Sequence, residues 1–378
     1  MVSPKADIHL VAGARPNFMK IAPLYTQLRK QPLFHPLLIH TGQHYDEAMS
    51  WAFFQDLELP PPDVNLEVGS GSQARQTGRI MQAYERLALD RRPDLVMVVG
   101  DVNSTVACSL VASKLHIPVA HVEAGLRSFD RSMPEEINRI LTDTISDVLF
   151  TTCSDADRNL LREGIPPEKV FFVGNVMIDS LMRIREKARR SDVLERLGLE
   201  DRAYALMTLH RPSNVDQETT LRGILAAVEE IQTHLPVIFP VHPRARKMFD
   251  RFGLQQRIAS LERLKLIDPV GYIDFVRLMD RARLVLTDSG GIQEETTVLG
   301  VPCLTLRENT ERPVTVHQGT NRVVGSDPVR ITAETKRILR EKAPPAKIPP
   351  LWDGAAADRI ANILLEKMFS FPKGGKKR

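Results

Sequence analysis

Thr287-Asp288-Ser289-Gly290-Gly291-Ile292-Gln293-Glu294-Glu295 follows the apolar run Leu284-Val285-Leu286 and opens a helical pattern through Thr296 to Leu299. An uninterrupted apolar run reads as a strand covered on both faces, and hence as part of a parallel sheet. A strand that turns through glycine into a helix leaves free N–H groups where the helix dipole favours an anion. Ser289, Gly290 and Gly291 are therefore candidate ligands of a diphosphate, and Glu295 is a candidate for a ribose hydroxyl pair. An ordinary strand-to-helix turn, with glycines for close packing, fits the same stretch.

The same alternation runs outward in both directions. Ile8–Ala12, Leu37–His40, Leu95–Val99, Ile117–Ala120, Val148–Phe150 and Val170–Val173 are strand-like runs separated by helical patterns. It restarts with Tyr204–Leu209, Val237–Val241, Leu264–Ile267, Leu284–Thr287 and Cys303–Leu306. Leu221, Ile224, Leu225, Val228 and Ile231 follow the spacing of a helix with one buried face. The pattern predicts an α/β protein of two Rossmann-like, doubly wound parallel-sheet domains facing a cleft. The expected boundaries are 1–180 for the first domain and 181–352 for the second. A last amphipathic helix is expected within 353–370, and a basic, disordered tail over 371–378.

A chain of 378 residues is too long for one core. The net charge of +4 is small, and much of it lies in Lys373, Lys376, Lys377 and Arg378, so neither nucleic acid nor an anionic membrane is implied. No run approaches the roughly 18 apolar residues of a membrane helix. Met1 to Leu10 carries Lys5, Asp7 and His9 and does not read as a signal peptide. Cys108, Cys153 and Cys303 have neither pairing nor ligand spacing, which points to a reduced, cytoplasmic setting. HExxH, CxxC pairs, GxGxxG and the P-loop are all missing, which speaks against a zinc site and against a nicotinamide or P-loop enzyme.

Unusual polar groups fall at the ends of the predicted strands. Gly13-Ala14-Arg15-Pro16-Asn17 follows the first strand, with Pro16 suited to a helix start. Arg15 is placed either to meet phosphate or to form a surface ion pair. Asp101 follows Gly100, as an acid or as a cap for a helix near Ser104. Glu123, a poor capping type, follows Ala120-His121-Val122. Glu135 and Arg139 are spaced to face the same way, as acid and phosphate ligand or as an intrahelical ion pair. His210 and His242 end consecutive strands, each near an arginine.

Taken together, GARPNFMKIAPL (13–24), TGQHYDEAM (41–49), GDVNST (100–105), HVEAGLRS (121–128), PEEINR (134–139), GN (174–175), LHRPSNVD (209–216), PVHPR (240–244), TDSGGIQEE (287–295) and TERP (310–313) occur in order. The chain resembles the non-hydrolysing UDP-N-acetylglucosamine 2-epimerases of bacteria and archaea over nearly its whole length. The resemblance implies a GT-B-like fold whose cleft opens and closes, a C-terminal helix (within 353–370) that packs back on the first domain, a homodimer, and no metal or redox cofactor. It also implies elimination of UDP to 2-acetamidoglucal, followed by re-addition with a proton on the other face, as a supply of surface-polysaccharide precursor.

Carried residue by residue, the resemblance makes Asp101, Glu123 and Glu135 acid/base groups and sets His210 at the departing UDP. Arg15, Arg139, His242, Phe275, Ser289, Gly290, Gly291, Glu295 and Arg312 match UDP- or substrate-binding positions. Gln43 and His44 match an effector site. Asn17 stands where many members have Glu, and Ala14 where many have Thr, which loosens the claim about the sugar. Tyr45-Asp46 departs from the effector-site pattern. The rival outcomes are a hydrolysing epimerase, an epimerase of a diacetamido-uronic acid UDP-sugar, and a GT-B glycosyltransferase.

Overall fold

Each long apolar run becomes a strand with a helix on either face, because a run without polar alternation has no side to turn toward water. The computed structural model describes residues 5–42, 56–341 and 347–367. Gln43, His44 and the basic tail lie outside the described residues. The chain divides into two units. One is built from the described residues up to Met182 and from Pro350 onward, the other from Arg183 to Pro349. The division runs through a continuous helix, Val176–Ala188.

In the first unit the strands are β1 (Ala6–Ala12), β2 (Phe34–His40), β3 (Val64–Asn65), β4 (Leu95–Val99), β5 (Val119–Ala124), β6 (Val148–Thr151) and β7 (Val170–Phe172). They lie parallel in the order β3-β2-β1-β4-β5-β6-β7. The second unit holds β8 (Ala205–Thr208), β9 (Val237–Pro240), β10 (Leu264–Ile267), β11 (Leu284–Thr287), β12 (Cys303–Thr305) and β13 (Asn321–Val323). Their order, β10-β9-β8-β11-β12-β13, is again parallel. The fold is α/β with two Rossmann-like sheets. In each sheet the order reverses once, between β1 and β4 and between β8 and β11, and such reversals are where ligands bind doubly wound folds.

Leu221, Ile224, Leu225, Val228 and Ile231 of the helix Glu218–Ile231 are buried in one core with Val237, Phe239, Leu284 and Leu286 of the second sheet. Full burial of each such side chain contributes about 1.5–3 kcal/mol. In the first unit the helix Asn103–Lys114 has little polar surface, because it is packed between the helices Gln73–Asp90 and Pro134–Ile145. The last helix, Ala356–Lys367, packs on the helix Arg15–Lys30 of the first unit. Its first turn is capped by Asp179, which accepts from Ala356 N at 3.1 Å and Ala357 N at 2.7 Å. Trp352 is buried beside it and donates to Thr152 O at 2.8 Å. Among the described residues no helix is long and apolar enough to cross a membrane, and no cluster of His, Cys, Asp and Glu could hold a metal ion.

Candidate active site

The C-terminal ends of β1, β4 and β5 bring one polar group together in the first unit. β5 runs on past Ala120 to Ala124, so Glu123 belongs to the strand end and does not follow it. The β5–β6 register slips between Val122 and Ala124, and Glu123 takes a φ of 72°. A bulge with a left-handed glutamate is unfavourable and persists only where its surroundings hold it, commonly at functional sites. Here the bulge turns the Glu123 carboxylate onto Lys20 Nζ, in an ion pair whose partners are both buried. Asn17, also buried, accepts from Gly13 N at 3.1 Å and Ala14 N at 2.9 Å and donates to Val99 O at 3.2 Å. It therefore pins the β1 turn to the end of β4. A Cβ at Gly100 would press against Lys20 Nζ at 3.0 Å, so the site is closely filled.

Asp101 does not cap the next helix. That helix begins at Asn103 with Val102 as its N-cap and no side-chain cap bond. The carboxylate, about a third exposed at 31%, pairs instead with Arg139 Nη1. Arg139 in turn pairs with Glu136 at 2.5 Å and not with Glu135, so of the two readings of Glu135 and Arg139 the intrahelical ion pair is not formed. Glu136 is the buried partner of the two. It accepts from Ser128 N, Ser128 Oγ and Phe129 N, each at 2.9 Å. Burial opposes its ionisation, yet those N–H groups and Arg139 hold its pKa below the ordinary glutamate value. Glu135 is half-buried on the first turn of the helix Pro134–Ile145. Arg15 opens the helix Arg15–Lys30 at the end of β1, and its side chain lies outside what is described.

In the second unit β8 and β11 end side by side. His210 Nδ1 lies 2.7 Å from Asp288 Oδ1. The same buried carboxylate accepts from His210 N at 3.0 Å and Arg211 N at 2.9 Å, and from Asn214 Nδ2 at 3.2 Å. Burial works against its charge, but the histidine and the two backbone N–H groups hold the Asp288 pKa below the ordinary value. With Nδ1–H committed to Asp288, the ring presents Nε2, the form suited to proton exchange with a ligand. The His242 ring lies 6.1 Å from that of His210, and its Nδ1 caps the helix Pro243–Arg251 by accepting from Arg244 N at 3.2 Å.

Ser289 is the N-cap of the helix Gly290–Leu299 and makes no side-chain cap bond. A Cβ on Gly290 would overlap the Arg312 guanidinium, so only glycine lets that cation lie across the helix start. Arg312 is buried and held from behind, Nε to Glu294 Oε1 at 3.0 Å and Nη1 to Glu311 Oε2 at 3.4 Å. Glu295 is buried and accepts from Tyr272 Oη at 2.5 Å. Burial, against the Tyr272 hydrogen bond and with the Glu294 charge, pushes the Glu295 pKa up to about 8. Phe275 lies half-buried in the helix Tyr272–Asp280.

This arrangement of an amide-rich turn with a cation across it, and acids at a second switch point, agrees with similarity to known proteins. The profile of the family described as UDP-N-acetylglucosamine 2-epimerase matches residues 26–365. The chain belongs to the UDP-N-acetylglucosamine 2-epimerase family. It is 44% identical over 363 residues to a UDP-N-acetylglucosamine 2-epimerase of Methanocaldococcus jannaschii, covering 94% of this chain and 98% of that one. A UDP-2,3-diacetamido-2,3-dideoxy-D-glucuronate 2-epimerase of Pseudomonas aeruginosa is 42% identical over 358 residues, with the same coverage of 94% and 98%. The crystal structure of the Methanocaldococcus jannaschii UDP-GlcNAc 2-epimerase in complex with UDP-GlcNAc and UDP matches with a TM-score of 0.89 at 43% identity, covering 95% of this chain and 99% of that one.

For a member of this epimerase family, several polar residues that the sequence reading passed over do much of the holding. Lys20, Asp288, Glu136, Tyr272 and Glu294 all contact a residue singled out from sequence. Four had a visible signal. Asp288 and Glu294 sit inside the quoted glycine stretch, Lys20 lies in the same motif as Arg15, and Glu136 stands next to Glu135 in PEEINR. Tyr272 had none, since an aromatic in a helical pattern reads as core.

Proposed function

We propose that the protein interconverts UDP-N-acetylglucosamine and UDP-N-acetylmannosamine. A base removes the proton on carbon 2, the bond from carbon 1 to the diphosphate oxygen breaks, and UDP departs with the electron pair. UDP then adds back to the 2-acetamidoglucal while an acid returns a proton to the opposite face of carbon 2. The change is redox-neutral, because the proton and the electron pair that leave both return.

In this reading the Ser289–Gly291 turn, Arg312 and His210 take the charge that grows on leaving UDP, where preorganised donors are most effective. Glu295 and Phe275 face the nucleoside, and Arg15 and His242 add to diphosphate binding. Asp101, Glu123 and Glu135 exchange the carbon-2 proton, with Arg139 holding Asp101. Acids on two faces need environments that differ. Glu123 lies buried against one lysine, Asp101 is partly exposed against an arginine, and Glu135 is half-buried, which supports that division.

The observation that carries the reading is the strained Glu123 bulge in a family whose members are named as 2-epimerases. Incubation with UDP-N-acetylglucosamine in deuterium oxide tests it. Deuterium is expected at carbon 2 of both epimers, with intact nucleotide sugar at equilibrium. Unlabelled substrate recovered from folded protein would reject it, and free N-acetylmannosamine would indicate a hydrolysing enzyme. A second reading, epimerisation of a UDP-diacetamido-uronic acid, is favoured by the 42% identity to the Pseudomonas aeruginosa relative, and the same assay with that substrate decides between them. A homodimer and a cytoplasmic setting complete the proposal, checked by light scattering and by cell fractionation.

A further inference from the structure

We propose that Asp143 is a positioning residue that sets Asp101 and Glu123 relative to one another. This rests on the epimerase reading above. Asp143 lies in the helix Pro134–Ile145 and is buried away from the proton-exchanging carboxylates themselves. One carboxylate oxygen lies 2.6 Å from His121 Nδ1. The other accepts from Gly125 N at 3.1 Å and pairs with Arg127 Nη1 at 2.7 Å. His121 and Gly125 are the residues two before and two after Glu123, so a single carboxylate grips the chain on both sides of the bulge.

The second ring nitrogen of His121 lies 2.9 Å from Gly100 O, and Gly100 is the residue before Asp101. Both ring nitrogens of His121 therefore face oxygen atoms, the Asp143 carboxylate on one side and the Gly100 carbonyl on the other. The chain of contacts runs from Asp143 through His121 to the Asp101 turn, and from Asp143 through Gly125 to the Glu123 turn. It ends outward at Arg127, whose guanidinium binds Glu163 at 2.6 and 2.8 Å.

The backbone it holds is unfavourable on its own. Gly100, Glu123 and Gly125 have φ of 67°, 72° and 78°. A left-handed non-glycine residue costs about 1–2 kcal/mol relative to ordinary backbone, so Glu123 returns toward the extended region unless its flanks are fixed. Gly125 also packs so closely against the carbonyl of Ala156 that a Cβ there would overlap it. Relaxing the bulge would turn the Glu123 carboxylate off Lys20 and shift it with respect to Asp101. A displacement near 1 Å is enough to slow a positioned proton transfer about 100-fold.

The test is Asp143→Asn, which keeps the volume and an oxygen for Gly125 N and removes the charge that holds His121 and Arg127. The expected result is a fall of about 10–100-fold in kcat for carbon-2 deuterium exchange. KM and UDP affinity should stay within about 3-fold, since the groups read as holding UDP belong to the second unit, Arg15 apart, while Asp143 and His121 touch Gly100, Gly125 and Arg127. His121→Gln, which gives up the Asp143 contact and leaves Arg127 and Gly125 in place, serves if the first variant does not fold. It should show the same loss confined to kcat. Either folded variant with wild-type kcat and only a lowered melting temperature would overturn the proposal, as would equal losses in kcat and UDP affinity. Absence of exchange in the wild-type protein would instead remove the epimerase reading, and this proposal with it.

Discussion

At the reversal between β1 and β4 the polar groups are long side chains in opposite-charge pairs, and one of them stands on strained backbone. Glu123 meets Lys20 and Asp101 meets Arg139. At the reversal between β8 and β11 a helix begins at two glycines, and buried carboxylates stand behind the cation and the histidine. Apart from the extra edge strand β7, the strand order is the same in both sheets, so topology does not account for the difference. Under the proposed function, the first arrangement supplies the carboxylates that exchange a proton, and the second supplies the preorganised donors that hold the diphosphate. Proton exchange needs groups that can change state, and anion holding needs groups that do not.

The comparison is broken most directly at Glu123. Glu123→Gln should lower kcat by at least about 1000-fold, the scale of a lost acid/base group, with UDP titration calorimetry nearly unchanged. If UDP affinity falls equally, the two reversals are not divided in labour. Gly290→Ala comes next. Its methyl displaces Arg312 from the helix start, and UDP affinity should drop about 10–100-fold, the scale of a lost charge-assisted bidentate contact.

A pH comparison sharpens the contrast. Glu295 rises from 4.5 to about 8 on burial, so the folded state favours the neutral acid. Its contribution is complete below pH 4.5 and is lost as pH rises from 4.5 toward 8, at about 1.4 kcal/mol per unit of separation. Urea midpoints at pH 5 and pH 8.5 should differ less for Glu295→Gln than for wild type, and an identical difference would refute the assignment. The smallest effect is expected away from both reversals. Asp179→Ala removes the cap on the helix Ala356–Lys367 and should cost about 1 kcal/mol, read as a lower melting temperature at unchanged kcat.

How much of this was legible in the linear chain depended on range. Leu264–Ile267 and Leu284–Thr287 are strands with the bounds their apolar runs predicted. Val64–Asn65 and Asn321–Val323 went unread, because short strands carry too few side chains for a periodic signal. Asp101 next to glycine looked equally good as a cap, and Glu135 looked like the partner of Arg139. Both alternatives concern neighbours along a helix. The actual partners were chosen across elements, Arg139 reaching back to β4 and Glu136 folding onto the loop before its own helix.

Apolar runs and glycine turns by themselves determined two parallel sheets and the strand ends that carry the unusual polar groups, since hydrophobic burial and backbone freedom act over a few residues. Motif order determined the family. Only the tertiary structure decided that Glu123 sits on a left-handed bulge against Lys20, that Asp288 orients His210, and that Gly290 is bare so that Arg312 can cross it. Those pairings join residues far apart in the chain, and electrostatic partners and close contacts are set by distance in space, which no local pattern encodes.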